Sequence, residues 1–118
     1  MRRAGHLSLE SRRVGEAWVL AARGDIDLST VAKAADAMST ARGRAESLFL
    51  DLRQVGFMDT SGLRLVIEEQ QRAAAEGYRF AVFPGPPKVQ RLFEIAGLAG
   101  DDTLFADPST LPATGGDA

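Results

Sequence analysis

The stretch SLFLDLRQVGFMDTSGLRLVIEEQ, residues 47–70, sets the architecture. Its first six residues, Ser47 to Leu52, form a short, nearly unbroken apolar run, the pattern of a central strand in a parallel sheet covered on both faces. From Leu63 onward the apolar residues recur at helical spacing, and the pattern runs to Glu76, where Gly77 offers a stop. Between strand and helix lies the corner FMDTSGL, an acid and two hydroxyls followed by a glycine. Asp and Ser suit a helix start, because their side-chain oxygens accept hydrogen bonds from N–H groups that lack an intrahelical partner. A glycine in the first turn is harder to explain, since it costs ~1 kcal/mol relative to alanine.

At about 100° per residue, Leu63, Val66, Ile67, Gln70 and Ala74 gather on one side of this helix, which is expected to be buried. Ser61, Leu65, Glu68 and Arg72 fall opposite, toward solvent. Leu65 is the apolar member of that set, one turn beyond Ser61, and is read as a candidate partner contact.

Working outward, HLSLESRR (residues 6–13) and EAWVLAARG (16–24) read as two strands joined by a turn near Val14 and Gly15. The segment GDIDLST (24–30) is a turn followed by helix-capping residues, with Asp27, Ser29 and Thr30 each able to accept from the next helix. That helix shows Val31, Ala34, Ala35 and Met38 on one stripe and is expected to stop at Gly43. Downstream, YRFAVFPG (78–85) is a strand, and PKVQRLFEIAGL (87–98) is a helix with Val89, Leu92, Phe93 and Ala96 on one face. Gly97 suits the left-handed conformation that ends a helix, and Leu98 can fold back on Phe93. DTLFAD (102–107) offers a last short strand.

Strand and helix thus alternate after an initial hairpin. The expected fold is a single α/β domain with a four- to five-stranded mixed sheet and helices packed on it. Residues 1–6 read as a flexible N-terminus, 7–106 as the domain and 107–118 as a flexible Pro/Gly-rich tail. The tail contains LPATGG (111–116), a look-alike of a sortase signal without the apolar and basic residues such signals need. In such sheets functional groups collect at the carboxyl ends of the strands, where FMDTSGL and GDIDLST both lie.

Composition removes whole classes of function. With 118 residues the chain suits one core, and a net charge of −2 gives no basic field for nucleic acid or an anionic membrane. It has no cysteine, which removes thiol chemistry, and its one histidine, His6, stands near the N-terminus, so neither a histidine metal site nor a Ser-His relay is expected. GPPK (85–88) lacks the Gly-Lys-Ser/Thr ending of a phosphate-binding loop, and no G-x-S-x-G elbow surrounds Ser61. Asp25 and Asp27 are assigned turn and cap duties rather than a metal. No stretch approaches the ~20 apolar residues of a membrane span, and the opening MRRAGHLSLESRR has no apolar run behind its charges.

Three segments, GDIDLST, DLRQVGFMDTSGL (51–63) and RLFEIAGL (91–98), resemble the STAS domain of the anti-sigma factor antagonist family. The resemblance spans the chain from about Leu7 to Phe105, and its middle motif is the specific one. In that family the serine before the glycine of D-[ST]-S-G-L is phosphorylated by a partner that is both kinase and anti-sigma factor. Carried over, this serine is Ser61, with Thr60 a second hydroxyl that could take the phosphate. Asp25, Asp27, Asp59, Thr60, Gly62, Arg64 and Leu65 are then the expected partner-binding residues. Gly62 is expected to clear the approach to the hydroxyl.

The resemblance implies a cytoplasmic, non-catalytic protein that binds the kinase when unphosphorylated, frees a sigma factor, and is reset by a PP2C-type serine phosphatase. It implies no cofactor or metal. The alternative is a STAS scaffold, in a stress-sensing or lipid-transport complex, that binds without being modified. Arg64 departs from the family pattern, which often has a small residue or glycine there, and could pair with the phosphate or with an acidic partner.

Overall fold

The computed structural model describes residues 5–44 and 46–111. Strand β1 (Leu7–Val14) turns at Gly15, φ +61°, into strand β2 (Ala17–Ile26), and the two pair antiparallel. Helix α1 (Val31–Arg42) leads to strand β3 (Ser47–Met58), helix α2 (Thr60–Glu76), strand β4 (Arg79–Phe83) and helix α3 (Pro87–Ile95). Sheet order follows the chain, β1-β2-β3-β4, with β3 parallel to both β2 and β4. The fifth strand expected over 102–107 is reduced to one parallel bridge, Val82 to Phe105.

The two faces of the sheet differ. Leu20, Leu48, Leu50 and Val82 point to one face and join Ala34 and Met38 of α1, Leu65 and Val66 of α2, and Val89 and Phe93 of α3 in a single cluster. Each fully buried Leu, Val, Met or Phe among them contributes about 1.5–3 kcal/mol of transfer free energy. The opposite face carries a smaller cluster of Val14, Ala17, Val19, Phe49, Ala81 and Phe83, with no residue of the three helices in it. Phe49 and Phe83 stack there at 5.1 Å, and the guanidinium groups of Arg79 and Arg53 roof them at 5.0 and 5.6 Å. This is why Trp18-Val19-Leu20 reads as a continuous apolar run: the strand is covered on both sides.

The stops fall where glycine permits them. Gly77 ends α2 at φ +83°, and Gly97 follows α3 at φ +79°, with Leu98 N–H bonded to Phe93 C=O at 2.8 Å. Two expectations change. β3 continues past Leu52 to Met58, because one-residue register shifts between Asp51 and Gln54 and again after Val55 let the strand stay paired. No side chain of Asp27, Ser29 or Thr30 caps α1; instead the Asp27 carbonyl accepts from Val31 N–H at 2.8 Å. At the start of the tail expected from residue 107, Pro108–Thr110 forms a 3-10 turn and Leu111 packs against the helix-free cluster. The remainder of LPATGG lies outside the described residues, as do residues 1–4 of the expected N-terminal segment.

Candidate functional site

The carboxyl ends of β2 and β3 lie side by side, Asp25 opposite Phe57 and Ile26 opposite Met58, which brings the two sequence motifs together. Asp59 N–H extends this contact by donating to Ile26 C=O at 3.1 Å. Asp59 is the N-cap of α2. Its Oδ1 accepts from Ser61 N–H at 2.8 Å and from the Ser61 hydroxyl, and its Oδ2 accepts from Leu28 N–H at 3.3 Å. One carboxylate thus joins the candidate acceptor hydroxyl to the β2–α1 loop. Burial raises the Asp59 pKa, but the hydrogen bonds from Ser61 and Leu28 outweigh it and hold the group below the ordinary carboxylate value.

The β2–α1 loop is itself tightly bonded. Asp27 Oδ1 accepts from Ser29 N–H at 2.9 Å and from Ser29 Oγ–H at 2.6 Å, and the Ser29 hydroxyl is the main cause of the lowered Asp27 pKa. Thr30 Oγ1 accepts from Asp27 N–H and donates to Asp25 C=O, each at 2.9 Å. Asp27 is buried, so its carboxylate organises the loop from within. Leu28 is pushed outward between these anchors and is 81% exposed.

The exposures sort the expected site residues. Thr60 and Arg64 are exposed, Ser61, Asp59 and Asp25 are half-buried, and Asp27, Gly62 and Leu65 are buried. Arg64 makes no ion pair among the described residues. Leu65 corrects the sequence reading: it is 9% exposed and belongs to the core, and the buried line of α2 is Gly62, Leu65, Val66, Glu69 and Ala73. The helix is rotated relative to the expected phase, and the buried line takes in Glu69, an acid that is only 3% exposed. Arg42 of α1 makes that burial tolerable with two bonds, Nε to Oε2 at 2.9 Å and Nη2 to Oε1 at 2.6 Å, and the Tyr78 hydroxyl donates to Oε2. Burial and then the bond to Glu69 push the Tyr78 phenol up to about 12. The apolar residue that stands outward beside Ser61 is therefore Leu28, with Phe57 nearby, and not Leu65. Its signal was a leucine set between two loop-bonding residues, Asp27 and Ser29, where no core contact is available.

Gly62 also has a packing reason in addition to the expected one. A Cβ on it would lie 2.5 Å from Met58 Cγ, 2.8 Å from Met58 Sδ and 3.0 Å from Ile26 Cγ2. The glycine lets the first turn of α2 press against the ends of β2 and β3. Close packing thus requires a glycine here whatever approaches the hydroxyl.

Among the described residues no group of three or more His, Asp or Glu could hold a metal ion, and no helix is long and apolar enough to cross a membrane. The site is an exposed corner built on a small mixed sheet, with a serine, a threonine and a loop leucine at its rim. Fold and corner together define a STAS-type domain. A family model described as "Mlab, STAS domain" matches residues 9–106, and the chain belongs to that family.

Solved structures share the fold. An anti-sigma factor antagonist from Mycobacterium paratuberculosis aligns with a TM-score of 0.77 at 20% identity, over 88% of this chain and 89% of the other. The anti-sigma factor antagonist SpoIIAA in its unphosphorylated form aligns at 0.71 and 22%, over 87% and 90%. The Bacillus cell fate determinant SpoIIAA in its phosphorylated form aligns at 0.67 and 23%, over 87% and 93%. No curated protein matches the sequence.

Proposed function

We propose that this domain is an anti-sigma factor antagonist, a cytoplasmic binding protein that holds an anti-sigma factor serine kinase while Ser61 is unmodified. Phosphorylation of Ser61 releases the kinase, and a PP2C-type serine phosphatase reverses the modification. The domain is the substrate of both enzymes and catalyses neither step.

The single observation that carries this reading is the bonding of the Ser61 hydroxyl. It donates to Asp59, whose other oxygen accepts from Leu28 N–H, so the acceptor is connected directly to the most exposed apolar residue of the loop. Adding a phosphoryl group removes the O–H donor and brings about −1.5 to −2 charges beside the Asp59 carboxylate. Two like unit charges ~4 Å apart repel by about 1 kcal/mol in water and about 4 kcal/mol at the effective dielectric of a protein surface. The bond from Leu28 N–H is worth about 1.5–3 kcal/mol even as a charge-assisted one, and 3.3 Å places it at the weak end. Repulsion therefore outweighs the tether. The Leu28 tether is released while Ser61 N–H still holds Asp59 Oδ1 at the helix end, and the partner meets a loosened loop together with a new dianion. Exposed Arg64, three residues on, limits the repulsion or meets an acidic partner. The core beneath is untouched, because Leu65, Val66 and Met58 face inward.

Support comes also from the D-T-S-G-L motif at residues 59–63, and from the shared fold of a protein whose structures include both an unphosphorylated and a phosphorylated form. A second reading, a STAS scaffold that binds without modification, is favoured by the half-buried state of Ser61 and its bond to the cap, which suffice for a purely structural serine. Incubation with Mg-ATP and the candidate kinase, followed by mass mapping, separates the two. Phosphate on Ser61 that vanishes in Ser61→Ala is the outcome expected here. Stable kinase binding without phosphoryl transfer establishes the scaffold instead, and phosphate on Thr60 moves the acceptor by one residue.

A further inference from the structure

The helix-free face of the sheet carries a groove of about 530 Å³ between β1, β2 and β3, well away from the interior line of α2 and independent of the phosphorylation reading. Alternation along the strands turns Glu10 and Arg12 of β1 and Arg23 of β2 to this face. The register shift in β3, where two steps of β2 oppose three of β3, turns both Arg53 and Gln54 there as well. Three guanidinium groups thus line one groove with two carboxylates, Glu10 and Asp51, leaving a positive surplus on a chain whose net charge is −2.

The bonding inside the groove is uneven. Asp51 is fully engaged by Arg53, whose Nε and Nη2 donate to its two oxygens at 3.0 and 2.8 Å. Arg23 gives only its Nε, to Gln54 Oε1 at 2.7 Å. Arg12 Nη1 is shut off from solvent and has no hydrogen-bond acceptor among the described residues, although the Arg12 charge acts on Asp51 at a distance. A buried donor left without a partner costs about 1–3 kcal/mol, and such groups are rare enough in folded proteins to call for a specific cause. Glu10 does not supply the missing acceptor: it forms no ion pair among the described residues. A groove of this size falls in the range of small-ligand sites, about 300–1,000 Å³, and has room for more than a bare inorganic anion.

We propose that this groove binds a small organic oxyanion, a molecule whose carboxylate or phosphate group accepts the N–H donors of Arg23 that Gln54 leaves unused and those of Arg12 that line the groove. Planar guanidinium groups suit either anion, because both offer paired oxygens.

The test is an NMR titration of the full chain with pyrophosphate and, separately, with citrate at constant ionic strength, following backbone amides and arginine Nε–H signals. Saturable shifts are expected in β1 from Ser8 to Arg12, at Arg23 and at Gln54, with a Kd of about 1 mM or tighter for at least one probe. Saturation by pyrophosphate alone marks a phosphate-bearing ligand, by citrate alone a carboxylate, and by both the shared oxyanion chemistry. Arg12→Met and Arg23→Gln should each weaken binding at least tenfold, and Glu10→Gln should tighten it severalfold by removing a competing carboxylate. Arg23 is exposed, so its variant keeps the test informative should Arg12→Met fail to fold. Absence of saturable shifts with both probes, shifts that persist in Arg23→Gln, or shifts centred on the Ser61 corner would each overturn the proposal.

Discussion

Replacing Gly62 by alanine tests the geometry of the corner with a sign as well as a size. At an ordinary interior helix position this exchange stabilises by about 1 kcal/mol. Here the new methyl group would stand 2.5 Å from Met58 Cγ and 3.0 Å from Ile26 Cγ2, against a favourable carbon–carbon separation of about 3.5–4.0 Å. Met58 is flexible and 7% exposed, so it can swing part of the way out. Ile26 is fully buried and branched at Cβ, and cannot. Overpacking of this kind costs about 1–3 kcal/mol, so the two terms leave a net loss of about 1 kcal/mol. Over 118 residues, at about 2.1 cal/mol/K per residue, that is a fall in Tm of roughly 4 °C, readable by circular dichroism. In a Met58→Ala background only the 3.0 Å contact with Ile26 remains, and the same Gly62→Ala change should lower Tm by less than in the wild type. A rise of Tm in the wild-type background would refute the close-packing explanation of this glycine.

Asp59→Ala should cost about 1 kcal/mol through the lost cap, roughly 4 °C in Tm, whereas Asp59→Asn, an equally good cap, should cost much less. Because the folded Asp59 pKa is depressed, the charge-dependent part of its contribution is present above the unfolded value near 3.9 and fades as pH falls through the lower folded value. The stability gap between Asp59→Asn and wild type should therefore narrow in acid, and a gap independent of pH would contradict the bonding seen. Tyr78 is the only tyrosine, so phenolate absorbance reports it alone: its midpoint should lie near pH 12 in the folded protein and move toward 10 in Glu69→Gln. Since the folded value is raised, the Tyr78 contribution is intact below pH ~10 and is lost between about 10 and 12; a midpoint near 10 in the wild type would show the Glu69 bond to be absent. Leu28→Ala should leave Tm within about 2 °C while weakening kinase binding at least tenfold, whereas Leu65→Ala should melt the protein by several degrees through loss of a core contact.

Much of this fold can be read from the chain because its strongest local signals agree with its tertiary contacts. The apolar run Leu48-Phe49-Leu50 is buried on both sheet faces, and Gly77 and Gly97 stop helices at positive φ. The meeting of GDIDLST with FMDTSGL follows from parallel order, which puts strand ends and helix starts on one edge. What fails is the rotation of α2. An apolar wheel cannot anticipate that Glu69 turns inward, since its burial is made tolerable by partners outside the helix, Arg42, 27 residues away in sequence, and Tyr78. That error moved the outward apolar residue from Leu28 to Leu65. The arginine-lined groove has no local signal in the sequence, because only strand register and a bulge bring Arg12, Arg23 and Arg53 together.

The central claim is that a partner recognises the corner only while the Ser61 oxygen remains a hydroxyl bonded to Asp59. It is tested most directly by isothermal titration of the cognate kinase into the unmodified protein and into protein phosphorylated at Ser61 alone. Loss of the Asp59 bond together with repulsion of a few kcal/mol predicts at least a hundredfold weaker Kd for the phosphorylated form, with both forms melting within a few degrees of each other. Equal affinity of the kinase for the two forms would contradict the account.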